Sequence, residues 1–331
     1  MMLRTEWTPS PAQPQLGYAD RLLALGSCFA GRMGQRLHDA RFRIDVNPLG
    51  IAYSPLVLSR QLLATLGAQP WAEPCYDRRQ GLWHSFDLHS SFGHSDRDQF
   101  DAQVARATAT TRAALQEASV LLLTFGTAWT FFRQDSGEPV ANCHRYPAAF
   151  FTRALGSVTQ LTDACLAAFE ALWHLRPGAQ ILLTVSPVRH TRATLEGNAL
   201  SKATLRLACQ QLQEASPQVY YFPAYELMID DLRDYRFYAD DLIHPSTLAE
   251  TYIWEKFVQA HVSPADRRLL HDWEEVQRDL AHRPRQPGSA AHRRFLEQVL
   301  RKLQALAPHL DCTRELEQVQ TALTGDPATD D

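Results

Sequence analysis

Four short apolar runs recur along the chain, at 22–25, 120–125, 181–185 and 219–222, and apolar residues return at helical spacing between them. Continuous runs of this length suit strands covered on both faces, and their alternation with helical segments predicts a parallel sheet of the α/β class. The covering helices are expected over 54–66, 98–118, 155–175, 195–214 and 247–262. In such sheets ligands bind outside the carboxyl ends of the strands. Ser27, Gly126 and Ser186 fall there.

Two stretches interrupt the alternation. Residues 68–97 are rich in Trp, His, Gly and Ser with little periodicity, and read as an insertion near the site. Their Trp71, Trp83, His84, Phe86 and His89 would form either an apolar or sugar-stacking wall or an aromatic loop packed on its own domain. From residue 263 the chain changes character: a helix over 265–281, a breaker at 283–288, and a helix over 290–306 with an apolar stripe of Leu296, Val299, Leu300, Leu303 and Leu306. That stripe must pack on the domain, on the preceding helix or on a second subunit, which makes it the candidate surface for a homo-oligomer. The expected organisation is a catalytic domain over 1–262, a helical extension over 263–323 ending in a short helix, and a frayed tail over 324–331.

The first run ends in Gly26-Ser27-Cys28, and Phe29, Met33 and Leu37 then follow at helical spacing. Ser27 would sit where the free N–H groups and positive end of a helix stabilise an oxyanion, but a capping serine is the more usual occupant of such a position, and only a matching base elsewhere favours catalysis. Cys28 is a rival nucleophile, but its adjacent position is expected to turn the thiol into helix packing. The candidate base is His244, three residues after Asp241, so that the carboxylate can hold the Nδ1 proton and leave Nε2 to take a proton. Asp279 and His282 repeat the spacing inside a charged helix, where a solvated face is the expectation. Arg189 and His190 follow a strand at the same edge. His190 is expected to line the pocket, and Arg189 either clamps an anionic substrate group or forms a structural salt bridge.

Composition narrows the class. The 331 residues are 45% apolar, and 33 basic against 37 acidic residues give a net charge of −4, so nucleic acid is not an expected partner. No apolar leader and no run of membrane-spanning length occurs, and a cytoplasmic location is expected. Six cysteines without a C-x-x-C pair argue against a disulfide framework and a thiolate zinc site. His84, His89 and His94 recur every five residues, which is not ligand spacing, so neither metal nor cofactor is expected.

Eight ordered words, GSCFA (26–30), NPLGIAYSP (47–55), TFGTAW (124–129), VANCH (140–144), SPVRH (186–190), SKATL (201–205), LRDYRFYADDLIHPS (232–246) and YIWEKF (252–257), resemble the signature of the GSCFA-domain family over residues 20–260. That family is similar to SGNH, or GDSL-like, hydrolases. The resemblance implies a flavodoxin-like three-layer α/β/α fold and a Ser27, Asp241, His244 triad, with the N–H groups of Ser27 and Gly50 in the oxyanion hole. Gly126-Thr127-Ala128 departs from the SGNH pattern by placing alanine where an oxyanion-hole asparagine is usual. Asn142 is the candidate replacement or a turn residue, with His144 and Thr127 as competitors, and Gly126, Thr127 and His144 would line the pocket. The implied function is a serine esterase or acyltransferase acting on a small-molecule or glycan ester through an acyl-enzyme on Ser27. The alternative is a non-catalytic small-molecule or glycan-binding domain on the same scaffold.

Overall fold

The computed structural model describes residues 5–77 and 80–324. The chain runs β1 (Arg21–Gly26), α1 (Cys28–Asp39), β2 (Arg43–Val46), α2 (Pro55–Leu66), β3 (Cys75–Asp77), β4 (Leu82–His84), α3 (Arg97–Glu117) and β5 (Val120–Phe125). It continues through β6 (Trp129–Arg133), β7 (Pro139–Val140), β8 (Phe151–Leu155), α4 (Val158–Leu175), β9 (Gln180–Val185), α5 (Thr194–Ala215), β10 (Val219–Tyr221) and the single turn α6 (Ala224–Glu226). The helices α7 (Thr247–His261), α8 (Pro264–Ala281), α9 (Ala290–Leu306) and α10 (Thr313–Thr324) close it.

The central sheet has the order β10-β9-β5-β1-β2, and its pairings are all parallel. Taken in chain order these five strands give the flavodoxin-like arrangement, whose switch point lies between β1 and β5. Side-chain alternation divides the core into two layers. Leu23, Leu25, Leu121, Leu123, Ile181 and Leu183 face Leu62 of α2, Phe169 of α4 and Leu205 of α5. Leu22, Ala24, Val120, Leu122 and Leu182 face Phe29, Met33 and Leu37 of α1 and Ile253 and Phe257 of α7. The fold is therefore a three-layer α/β/α sandwich with C-terminal helices added.

The structure adds what apolar runs do not signal. β2 is a four-residue edge strand with only Ile44 of its residues buried. A second, antiparallel sheet, β7-β6-β8, follows β5, and Leu155 ends its last strand rather than opening a helix. Helix α4 starts later, at a capping box formed by Ser157 and Gln160. Within 68–97, β3 and β4 form a hairpin, and Leu88 and Phe92 bury against Leu49 and Phe100 with Trp71 and Trp83 packed around them.

The stripe on α9 packs inside the chain. Val299, Leu303 and Leu306 join Trp273 and Val276 of α8 and Val319 of α10, with Leu296 and Leu300 at the margin. Trp273 also donates to Asp39 O at 2.8 Å, and Arg41 stacks on its ring and pairs with Glu315. Thr324 ends α10, and 325–331, most of the expected tail, lie outside the described residues.

Two stability predictions follow from the close approaches and the buried titratable groups. Gly26 adopts φ +136°, and a Cβ there would lie 2.2 Å from Thr124 O. Backbone cannot yield as a flexible side chain does, so Gly26→Ala should cost at least about 3 kcal/mol in denaturant unfolding. Wild-type stability in that variant would refute the turn geometry. His261 is buried between Phe222 and Phe257, with Nδ1 3.1 Å from Pro14 O, and burial lowers its pKa from 6.5 to about 4. The unfolded chain then binds the proton first, so stability present above pH 6.5 is lost as pH falls toward 4. His144 and His190 are lowered to about 4 by burial and act in the same direction. Thermal midpoints across that window should fall, and less steeply in His261→Gln; an unchanged slope would show that His261 is not the group responsible.

Candidate active site

The turn after β1 decides which side chain enters the cleft. Gly26 presses on Thr124, its N–H donates to Asn47 Oδ1 at 2.8 Å, and the Ser27 N–H continues the strand ladder to Thr124 O at 3.1 Å. Ser27 is thus still strand-like, with ψ 176°, and Cys28 is the first helical residue. As a result Ser27 is 0% exposed, and its Oγ has no hydrogen-bond partner among the described residues. The thiol of Cys28, expected to turn into helix packing, instead reaches the cleft, half-buried.

His244 faces that thiol. Cys28 Sγ and His244 Nε2 are 3.8 Å apart, within reach for sulfur, and His244 Nδ1–H donates to Asp241 Oδ2 at 2.6 Å. Asp241 Oδ1 also accepts the N–H groups of Ile243 and His244, each at 2.9 Å. These bonds, led by the His244 N–H, hold the Asp241 carboxyl at a pKa of about 2, so it stays ionised and fixes the tautomer with a bare Nε2. The loop is short and strained, with Leu242 at φ +57°. Arg189 braces it: its N–H donates to Ile243 O at 3.2 Å, its guanidinium to Leu242 O at 3.4 Å, and its charge lies 4.0 Å over the Tyr238 ring. The contacts described for Arg189 are with this loop and with Tyr238, and none of them is a salt bridge.

A cavity of about 360 Å³ opens beside the pair, lined by Cys28, Arg32, Val188, Asp241, His244 and Glu250 among others. Burial raises the Cys28 thiol above its ordinary 9.0, outweighing the N–H groups of Phe29 and Cys28 and the charges of Lys202 and Arg32, which favour thiolate. Lys202 is the residue that sequence reasoning missed. It is 1% exposed on α5, and its Nζ donates to Gly126 O at 2.8 Å and Ser186 O at 2.7 Å, tying together the ends of β5 and β9. Burial lowers its pKa to about 7. The signal was present, since Lys202 shares the apolar stripe of Leu205, Cys209 and Leu212.

Several expected donors are engaged elsewhere. The Gly50 N–H donates to Asn47 O at 2.8 Å, and the glycine is required because a Cβ would lie 2.4 Å from His89 Cβ. Asn142 is the turn residue: its Oδ1 accepts the His144 N–H at 2.8 Å. Thr127 Oγ1 lies 3.0 Å from Ser201 Oγ and accepts the Trp129 N–H. His144 Nε2 is 2.9 Å from Ser85 O, and its ring stacks 4.3 Å from that of His84. Trp83 lies beneath Arg97. Of these, none lines the cavity at Cys28. Gly126 and His190 also lie outside that lining but come together, the imidazole Nε2 lying 3.2 Å from where a Gly126 Cβ would stand, with the Tyr53 ring beside them. In the second D-x-x-H pair, Asp279 binds Lys302 Nζ at 2.8 Å and the His282 ring packs on Phe295. Among the described residues no group of three or more His, Cys, Asp or Glu could hold a metal ion, and no helix is long and apolar enough to cross a membrane.

No curated protein sequence matches the chain. Among solved structures it is similar to an acetyl xylan esterase from the rumen bacterium Butyrivibrio proteoclasticus, at 13% identity and a TM-score of 0.33, over 74% of this chain and 64% of that one. It thus spans less than two thirds of that protein's length. A model of the GSCFA family matches residues 21–257, and one described as the GSCFA domain protein, C-terminal domain, matches 273–325, beyond the stretch the motif words cover. The chain belongs to the GSCFA family.

Proposed function

We propose that the chain is an acyl-transferring enzyme, an esterase or an acyltransferase of small-molecule or glycan esters, whose nucleophile is the Cys28 thiol and not the Ser27 hydroxyl. The observation that carries this reading is the 3.8 Å contact between Cys28 Sγ and His244 Nε2, with Asp241 behind the imidazole and Ser27 sealed from solvent. Nucleophile, base and orienting carboxylate stand in the order that acyl transfer requires.

His244 Nε2 takes the thiol proton as sulfur attacks the ester carbonyl, and the C=O electron pair moves to oxygen. The Asp241 carboxylate stabilises the imidazolium. Collapse of the tetrahedral species breaks the C–O bond, the alkoxide takes the proton from Nε2, and the acyl group stays on Cys28 as a thioester. A water or an acceptor alcohol, deprotonated by the same Nε2, then attacks the thioester and regenerates the thiol. Because burial keeps the resting thiol protonated, His244 works as a general base during attack rather than as the partner of a standing thiolate.

With a short-chain aryl ester, Cys28→Ala should lose more than about a thousandfold in kcat/KM, while Ser27→Ala, which removes an unpartnered hydroxyl, should stay within about threefold of wild type. The reverse pattern would return the role to Ser27, and ester turnover surviving both Cys28→Ala and His244→Ala would favour a non-catalytic binding domain. Alkylation of Cys28 by iodoacetamide should still be accelerating with pH above 9.0, since burial raises the thiol beyond that value. A rate already at its plateau near neutrality would mean a standing thiolate and would remove the general-base step.

A further inference from the structure

The acyl-transfer reading leaves the oxyanion without a side-chain donor. The position after Thr127 holds Ala128, fully buried, the Gly50 N–H and the Thr127 hydroxyl are committed to Asn47 and Ser201, and Asn142 does not line the cavity at Cys28. Lys202 is committed to two carbonyls behind the sheet edge. One further polar atom at this edge, besides Ser27 Oγ, remains uncommitted. His190 Nε2 is buried, yet it has no hydrogen-bond partner among the described residues. An orphaned buried polar atom costs roughly 1–3 kcal/mol, so its persistence calls for a use.

The imidazole is held in place from several sides. The His190 N–H donates to Asn198 Oδ1 at 2.9 Å, the Ala193 N–H donates to His190 O at 3.0 Å, and the ring meets Tyr53 edge-on with centroids 5.5 Å apart. Nε2 lies 3.2 Å from where a Gly126 Cβ would stand and Tyr53 Cδ1 lies 3.0 Å from the same point, so a side chain at 126 would crowd both rings. Tyr53 is near enough to Cys28, and His190 to His244, for each charge to act on the other.

We propose that His190, in its Nε2–H tautomer, donates a hydrogen bond to the oxyanion formed when Cys28 attacks, alongside the N–H groups at the start of α1. The inference rests on the acyl-transfer reading. The donor transfers no proton: the C=O electron pair moves to oxygen, Nε2–H binds the developing charge, and the bond relaxes when the carbonyl re-forms. Burial, reinforced by the charges of Lys202, His244 and Arg153, lowers the imidazole to about 4, so it stays neutral and cannot compete with His244 for the thiol proton.

Two reactions of the same thiol separate this role from others. Acylation by p-nitrophenyl acetate passes through an oxyanion; alkylation by iodoacetamide, a direct displacement, does not. In full-length protein, His190→Ala should slow acylation of Cys28, read by intact mass and p-nitrophenol release, about ten- to a thousandfold, and leave alkylation within about twofold of wild type. His190→Gln, which keeps an N–H donor, should recover part of the loss in kcat with KM little changed. Wild-type acylation in His190→Ala would overturn the inference, as would equal slowing of both reactions, which would make His190 a support of the thiol. Failure of the wild type to be acylated while Cys28 is alkylated would sink the acyl-transfer reading, and this inference with it.

Discussion

The contact between Gly26 and the Thr124 backbone sets the phase of everything that follows it. Because no side chain fits at that point, β1 runs one residue past the place where its apolar pattern stops, and Ser27 is still paired with β5 when the helix begins. Successive helical residues differ by about 100° in direction, so a delay of one residue exchanges the side chain that meets the cleft for the one that meets the core. Ser27 is sealed and Cys28 is presented to His244. Asn47, itself at φ +45°, holds the arrangement from the other side through the Gly26 N–H.

Electrostatics at the sheet edge depend on one buried cation. Lys202 donates to Gly126 O and Ser186 O, just past the last ladder bond between β5 and β9, and so ties the two strand ends together. Its charge acts on Cys28 and on His190 in opposite senses, favouring thiolate in the first and opposing protonation in the second. Burial sets the outcome in each case. The thiol and the His190 imidazole are both held neutral at pH 7, and Asp241 carries a fixed negative charge beside His244. A site of this kind develops charge during attack rather than storing it, and preorganised donors contribute most in such a case.

The parts of the fold legible in the sequence were those with a single reading. Unbroken runs such as 120–125 have no exposed face to place, so the central strands, their parallel order and their covering helices followed directly. The antiparallel sheet was hidden because its strands mix Arg133, Arg153 and exposed Phe131 with buried residues, and β2 because it is short and at an edge. In the site, Asp241 and His244 were legible because a three-residue spacing on a capped loop brings them together locally. Which of Ser27 and Cys28 faces His244 was not legible, since that depends on the Ser27 N–H still being in the ladder. Asn142 and Arg189 each allowed two readings by residue type. In the fold, Asn142 accepts the His144 N–H within its own turn and Arg189 contacts Tyr238 and Leu242, neither of which residue type alone could indicate.

On the proposed reading, nucleophile and base stand on different kinds of support, which bears on why the nucleophile would be sulfur. Cys28 is anchored to the central sheet through β1, whereas Asp241 and His244 ride on a half-exposed loop held by Arg189 and a few backbone bonds. An oxygen nucleophile needs its base within about 3.0 Å, a tolerance that a peripheral loop meets poorly. Sulfur is larger and its proton is transferred across a longer gap, so 3.8 Å is a working distance for a thiol and an empty one for a hydroxyl. The same length leaves room for the loop to follow a carbonyl carbon as it bonds to sulfur. On the proposed reading, a thiol at residue 28 therefore suits a base carried on a half-exposed loop better than a hydroxyl would.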